Sequence, residues 1–431
     1  MSEFLEVFWP GHRHWREERS RQHMTIHQVK QGGKGPLDVD LDKGVTIRRH
    51  PSGRVSTRAR VDESQNQLSA LRSQYIEDGI PFDDLTDSNP TRHGLMNPEI
   101  GEILAKQDAL SYDPDPKGPL VAREALAERF GGEPDDYWLA SSTSEAYSWL
   151  FTLLADPRGR IAIPAPGYPL LQPLAQLSSV RTDSYSSFYV PPGEWMLDAG
   201  ALKEDAEERG YKSIVAVNPG NPTGAYIGSA RDELLETCAR TGAALISDEV
   251  FFPFAVEGGG ERLANYEVPT FSLDGLSKLL CAPGLKCGWI RYSGPEEEKD
   301  EITPALDNIA DSFLPLNAVV AAALPELLEL ADASVANVVR RLRANLKTLR
   351  ETLPEAFRVR KVEGGWTALV DIPWEGEQEL SLALLEQAHL YAHPGWFYDL
   401  SGSVLAISLL PEPASFARLM GQLRDFLNPG E

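Results

Sequence analysis

Apolar residues along this chain fall into two patterns, and each predicts a different element. Short uninterrupted runs mark buried strands: Tyr137-Trp138-Leu139-Ala140, Arg160-Ile161-Ala162-Ile163-Pro164, Ser213-Ile214-Val215-Ala216-Val217, Ala243-Ala244-Leu245-Ile246-Ser247 and Pro269-Thr270-Phe271-Ser272-Leu273. Between them lie stretches with three- and four-residue apolar spacing, as helices require. The longest is predicted over Ser334 to Leu353, with Val335, Val338, Leu342, Leu346 and Leu349 on one stripe and Pro354 ending it. A polar-apolar helix over Asn66 to Glu77 leads to a short strand, Phe82 to Thr86. Strands at Thr367–Ile372 and Val404–Leu409 alternate with helices near the C-terminus. Buried strands separated by helices predict an α/β protein: a mostly parallel sheet covered on both faces, followed by a smaller α+β region. There are no internal repeats.

Composition narrows the functions open to such a chain. The 431 residues hold 41 Lys+Arg and 64 Asp+Glu, a formal net charge of −23. Residues 1–60 carry 12 basic and 7 acidic side chains, so the acidity belongs to the remainder. An acidic body repels nucleic acid and anionic membranes, which excludes polyanion binding as its main activity. No stretch has the roughly 20 apolar residues of a membrane helix, and the N-terminus lacks the apolar core of a secretion signal. Three cysteines, Cys238, Cys281 and Cys287, form no CxxC pair. A reduced, cytoplasmic protein without a metal site is expected.

Residues 1–55 differ from the rest. They lack stable periodicity and hold five of the eight histidines. They are read as a basic, flexible extension or the product of an upstream start, with a docking or metal-binding arm as the alternative. His12, His14, His23 and His27 fit no recognisable ligand spacing.

Ligands in parallel α/β sheets bind at the carboxyl ends of strands, and four strands here end in chemistry-bearing residues. Leu139 is followed by Ser141-Ser142-Thr143-Ser144, opening a helix. Val217 leads to Asn218-Pro219-Gly220-Asn221-Pro222-Thr223-Gly224, and Ile246 to Ser247-Asp248-Glu249. Leu273 leads to Asp274-Gly275-Leu276-Ser277-Lys278, with Pro283-Gly284-Leu285-Lys286 beyond. Each is weak evidence singly. Together, Asn221, Asp248 and Lys278 stand 27 and 30 residues apart, each at a strand end.

This ordered set resembles the class I/II aminotransferases, fold-type I enzymes dependent on pyridoxal 5′-phosphate (PLP), from about residue 61 onward. The resemblance implies a large domain with a mostly parallel seven-stranded sheet sandwiched by helices, and a smaller α+β domain. The corresponding divisions are 1–55 for the extension, 56–100 for the N-terminal part of the small domain and 101–305 for the PLP-binding domain. Linker helices over 306–353 and the C-terminal small domain over 354–431 complete them. It implies that Lys278 supplies the amine that links to PLP, Asp248 the carboxylate beside its pyridine nitrogen, and Asn221 an amide on its phenolic oxygen. Ser142, Thr143, Ser144, Ser277 and Lys286 are expected on the phosphate, and Tyr168, in Pro166-Gly167-Tyr168-Pro169, on the ring face. Tyr112 is expected to reach the phosphate of a neighbouring subunit, which implies a homodimer. Ser88 and Asn89 match a substrate-side loop, and His393-Pro394-Gly395-Trp396-Phe397 a C-terminal segment.

Plainer roles stand beside these. Tyr168 and Tyr112 could be core or interface aromatics, and Ser142–Ser144 a helix cap. Glu249, His389, His393, Cys281 and Cys287 are expected to be structural.

Three positions depart from the family. Phe251 stands where a Tyr is usual, so the phenolic oxygen loses a donor and the lysine–PLP linkage should titrate higher. Lys286 stands where Arg is usual, keeping charge but losing a bidentate fork. Ala406, in Leu405-Ala406-Ile407-Ser408, stands where an Arg usually clamps the substrate carboxylate, and Arg92 is the candidate replacement. The resemblance implies an aminotransferase acting on an amino acid or amine and a 2-oxo acid, in a biosynthetic role. A PLP-dependent lyase or decarboxylase and a non-catalytic binding protein are the alternatives.

Overall fold

The buried runs become the centre of a single sheet. The computed structural model describes residues 56–59, 66–107, 114–190, 193–314 and 316–427. The expectations for the basic extension over 1–55 and for Tyr112 lie outside these residues. The chain divides into two units, Met1–Val61 and Asp62–Glu431. The described residues of the first include a short 3-10 turn, Thr57–Ala59. The three sheets and the helices that flank them belong to the second.

After a two-residue strand β1 (Asp83–Asp84) come β2 (Tyr137–Ala140), β3 (Arg160–Ala165), β4 (Arg181–Val190), β5 (Glu194–Leu197), β6 (Ser213–Val217), β7 (Ala244–Asp248), β8 (Thr270–Gly275) and β9 (Gly288–Ser293). The last eight form one sheet in the order β2-β9-β8-β7-β6-β3-β4-β5. From β8 through β4 neighbouring strands run parallel. Strand β9 is antiparallel to both β8 and β2. Five of these strands, β2, β3, β6, β7 and β8, are the predicted apolar runs; β4 and β9 bring the number to the seven that the resemblance implies. The eighth, β5, folds back on β4, pairing Val190 with Glu194 and Ser187 with Leu197. The sequence does not announce it because its apolar run, Trp195-Met196-Leu197, is only three residues long and lies on a half-exposed edge. Every residue of β6, β7 and β8 is buried, which is why those segments read as continuous apolar runs.

Helix α1 (Thr143–Leu154) follows β2. Its Tyr147, Trp149, Leu150 and Phe151 pack on Ile246, Phe271 and Ile290 of the sheet. The four-residue helix α2 (Leu276–Leu279) follows β8. The long helix α3 spans Ala331–Thr352, beginning three residues before the predicted start, and buries the expected Val338, Leu342, Leu346 and Leu349.

The C-terminal part builds a second, antiparallel sheet. Strands β10 (Arg358–Val359), β11 (Thr367–Asp371), β13 (His393–Pro394) and β14 (Val404–Ser408) lie in the order β10-β11-β14-β13, while β12 (Leu390–Tyr391) pairs with β1 in parallel. The 85–87 segment is fastened here too: Ser408 donates its N–H to Leu85 O at 2.7 Å and its hydroxyl to Asp87 O at 2.8 Å. Among the described residues, no single helix is long and apolar enough to cross a membrane.

Candidate active site

Asp248 ends β7 and is 5 % exposed. Tyr147, one turn into α1, donates its hydroxyl hydrogen to Asp248 Oδ2 at 2.9 Å, and Val250 N–H donates to Oδ1 at 3.2 Å. Burial pushes the Asp248 carboxyl up to about 6, against the pull of these two donors and the Lys278 ammonium. Lys278 leaves the carboxyl end of the neighbouring strand on α2. Its burial lowers the amine's pKa, and Asp248 opposes that shift. Its Nζ lies over two rings, Phe251 at 5.5 Å and Trp366 at 5.2 Å.

Tyr168 is half-buried against the cluster that holds Tyr147. Its phenol is pushed up by burial and then by the Asp248 charge, so ring and carboxylate share one environment. Asn221 borders a cavity of about 50 Å³ together with Pro166, Gly167 and Trp195.

The start of α1 lies at the same end of the sheet. Ser142 is its N-cap, accepting from Glu145 N–H at 3.2 Å, so the plainer reading of this serine holds. A helix start leaves its first N–H groups free of intrahelical partners, here those of Thr143 and Ser144. Strand β9 is pressed against this point: a Cβ on Gly288 would meet Ser142 C and Thr143 N at 3.2 Å. Leu276 N–H donates to Cys287 O at 2.9 Å, which ties α2, bearing Ser277 and Lys278, to the loop of Lys286. Lys286 is exposed, with a left-handed backbone (φ 52°).

A buried carboxylate, a desolvated amine, an aromatic face and a helix start with free N–H groups therefore share one end of the sheet. These residues fit PLP: an acid for the pyridine nitrogen, an amine for the carbonyl carbon and N–H donors for a phosphate dianion.

Other predicted residues are placed less closely. Ser88 is exposed, and Asn89 folds onto its own loop, its Oδ1 accepting from Thr91 N–H and Oγ1 at 3.1 and 2.7 Å. The Arg92 side chain is 68 % exposed, with one 3.4 Å contact to Asp87. Ala406 is 2 % exposed and packs with Leu369, Leu400 and Val404 beside Trp195 and Tyr398. His393 bonds Tyr398 Oη at 2.8 Å, and burial pushes its pKa down to about 4. Gly167 N–H donates to Tyr398 O at 3.3 Å, joining the Tyr168 loop to the 395–398 turn.

Glu249 is structural, as expected, and belongs to a buried cluster. Ser247 Oγ and Leu263 N–H donate to it at 2.9 and 3.0 Å, and Arg262 pairs with it while lying 3.7 Å from Asp274. Burial pushes Asp274 up to about 7. Cys281 and Cys287 are buried thiols, both pushed up to about 12. Sequence reasoning missed Tyr147 and Trp366. Tyr147 lies four residues after Thr143, on the same helix face, and that spacing was the available signal. Nothing local marks Trp366, which reaches Lys278 from the segment just before β11.

The family model for aminotransferase class I and II matches residues 84–412. The chain belongs to this family. Class I and II aminotransferases are PLP-dependent, in keeping with the residues described above. A second model, of a family of unknown function, matches residues 7–47. The S-alkyl-thiohydroximate lyase of Arabidopsis thaliana is 30 % identical over 249 residues, 54 % of this chain and 52 % of that protein. Tyrosine aminotransferase of Bos taurus is 27 % identical over 236 residues, 54 % of this chain and 49 % of that one. The chain thus aligns with about half the length of these relatives. Alanine aminotransferase from Pyrococcus furiosus superposes with a TM-score of 0.78 at 24 % identity, over 88 % of this chain and 100 % of that one. A Thermus thermophilus aspartate aminotransferase variant gives 0.75 at 19 %, over 86 % and 98 %. At these identities the superpositions establish the fold, that of fold-type I aminotransferases.

Proposed function

We propose that this class I and II family member is a PLP-dependent aminotransferase, moving an amino group between an amino acid or amine and a 2-oxo acid. The observation that carries the reading is the meeting of Asp248, Tyr147 and Lys278 at neighbouring strand ends. Bound PLP supplies an electron sink for the pair left when a Cα–H bond breaks. Lys278 Nζ, made easier to deprotonate by burial, takes that proton and returns it as general acid. Asp248 would accept the hydrogen bond of the protonated pyridine nitrogen, and Tyr147 and Val250 N–H keep the carboxylate charged and oriented. The Thr143 and Ser144 N–H groups, the Thr143, Ser144 and Ser277 hydroxyls and Lys286 would bind the phosphate, with Ser142 capping the helix that presents them. Asn221 would bond the phenolic oxygen and Tyr168 would cover a ring face. Arg92, exposed and weakly paired, supplies the cation for a substrate carboxylate, beside Ser88 and Asn89.

A homodimer is proposed, with Tyr112 reaching the neighbouring subunit's phosphate; sedimentation of the purified protein tests it. A cytoplasmic, biosynthetic enzyme is proposed as well, supported by three buried free thiols; cell fractionation tests the location.

The decisive experiment is one turnover with an amino donor. A transaminase loses the visible absorbance of bound PLP in proportion to donor and regains it on addition of a 2-oxo acid. The lyase reading is supported by the lyase among the relatives and by the apolar surroundings of Ala406. It would give back the absorbance with release of ammonia and no 2-oxo acid acceptor. A protein that acquires no visible absorbance with PLP would overturn both.

A further inference from the structure

The surroundings of the Lys278 amine contain a feature that the proposed chemistry does not use. Phe251, in the turn after β7, and Trp366, immediately before β11, place their rings over the same Nζ at 5.5 and 5.2 Å. The two rings also meet each other edge to face, centroids 5.3 Å apart and planes at 73°. Phe254 braces Trp366 from a further side at 5.2 Å and 70°.

This arrangement is rigidly held. Trp366 is 2 % exposed, and its carbonyl accepts from Leu409 N–H at 2.8 Å. The preceding Gly364 and Gly365 donate to Gly224 O at 2.8 Å and Phe254 O at 3.1 Å. A Cβ on Gly364 would meet Tyr226 Oη at 3.0 Å and Phe254 O at 3.1 Å, so the approach needs glycine. The loop that presents the indole is thus fastened at each residue.

A lysine stem has four rotatable carbons, and an amine at its tip occupies many positions unless something holds it. Ring faces carry negative quadrupole potential and attract an ammonium. We infer that Phe251 and Trp366 form an aromatic cradle that positions the Lys278 amine and favours its ammonium form until another partner takes it. The other groups facing the amine are Asp248 from β7 and Cys281 from its own loop, with Arg341 of α3 behind Cys281. Asp248 and the two rings all attract the ammonium, so together they hold the amine in place. Phe251 and Trp366 act as positioning residues.

The inference rests on reading Lys278 as the reactive amine, yet its test needs neither PLP nor turnover. Cyanate modifies neutral amines, so the pH dependence of carbamylation at Lys278 in the cofactor-free protein, read by peptide mass spectrometry, gives the titration midpoint of that amine. Trp366→Leu and Phe251→Leu, which keep apolar bulk but lack a ring face, should each lower the midpoint by about half a pH unit or more. Trp366→Phe should restore the wild-type midpoint. The inference is overturned if both leucine variants titrate like wild type, or if Trp366→Phe shifts as far as Trp366→Leu. Should Trp366→Leu fail to fold, Phe251→Leu, at a half-buried position, decides the matter. A separate titration of the wild type with PLP, followed by visible absorbance, tests the underlying reading.

Discussion

The Tyr147 hydroxyl reaches Asp248 Oδ2 at 2.9 Å across 101 residues of sequence, so the start of one helix orients the carboxylate at the end of a central strand. Both side chains are buried, and the phenol's pKa is raised well above its ordinary value by that burial and by the Asp248 charge. Removing the donor leaves a buried carboxylate short of a partner. Tyr147→Phe should cost about 1.5–3 kcal/mol in urea unfolding of the cofactor-free protein at neutral pH. It should also raise the Asp248 pKa above its value of about 6, moving the acid limit of PLP binding upward. An acid limit unchanged from wild type would show that Tyr147 does not tune Asp248.

Asp248 itself has a signed effect on stability. Its folded value of about 6 exceeds the ordinary 3.8, so between these pH values the folded protein binds the extra proton. Stability then falls as pH rises from about 4 to 6, and the full cost stays in place above that. Asp248→Asn should make the cofactor-free protein more stable at pH 7.5, on the order of 2 kcal/mol, with the gain fading toward pH 4. The same variant should bind PLP poorly. Thermal melts across pH, with and without PLP, read both effects.

Arg262 is the cation facing Glu249 and Asp274 in their buried cluster, and it also lies 4.4 Å from the Phe252 ring centroid. Replacing it strands carboxylates away from water. Arg262→Gln should destabilise the protein by about 3–5 kcal/mol, seen as a lower urea midpoint with an unchanged slope. Arg262→Lys, which keeps charge but loses the fork, should recover part of the loss.

Gly288 brings β9 against the first residues of α1, where a Cβ would press on Ser142 C and Thr143 N at 3.2 Å. Gly288→Ala must push the helix start aside by a few tenths of an ångström. PLP affinity, measured by fluorescence or absorbance titration, should fall about tenfold or more. Inorganic phosphate should lose its competition with PLP in parallel.

Arg92 is exposed, and its weak contact to Asp87 leaves the guanidinium free to meet an anion. Arg92→Ala should raise KM for the amino donor about tenfold or more while leaving kcat within a few-fold. An unchanged KM would remove Arg92 as the carboxylate partner.

What the sequence by itself determined was the place of five buried strands along the chain and the residues at their ends. Asn221, Asp248 and Lys278 were legible because a buried parallel strand is a continuous apolar run, and its carboxyl end is where such a sheet binds ligands. The stripe of Val338, Leu342, Leu346 and Leu349 was legible for the same local reason, since helical period shows in the spacing. Tertiary structure decided everything that depends on which side chains meet. The bond from Tyr147 to Asp248, the rings of Phe251 and Trp366 around Lys278, and the pairing of Arg262 with Glu249 join segments that no local pattern links. The β5 edge strand, four half-exposed or exposed residues, is held by its pairing with β4. Burial follows the same rule. The shifts of Asp248, Lys278 and Asp274 arise chiefly from desolvation, and desolvation is a property of the whole surrounding fold.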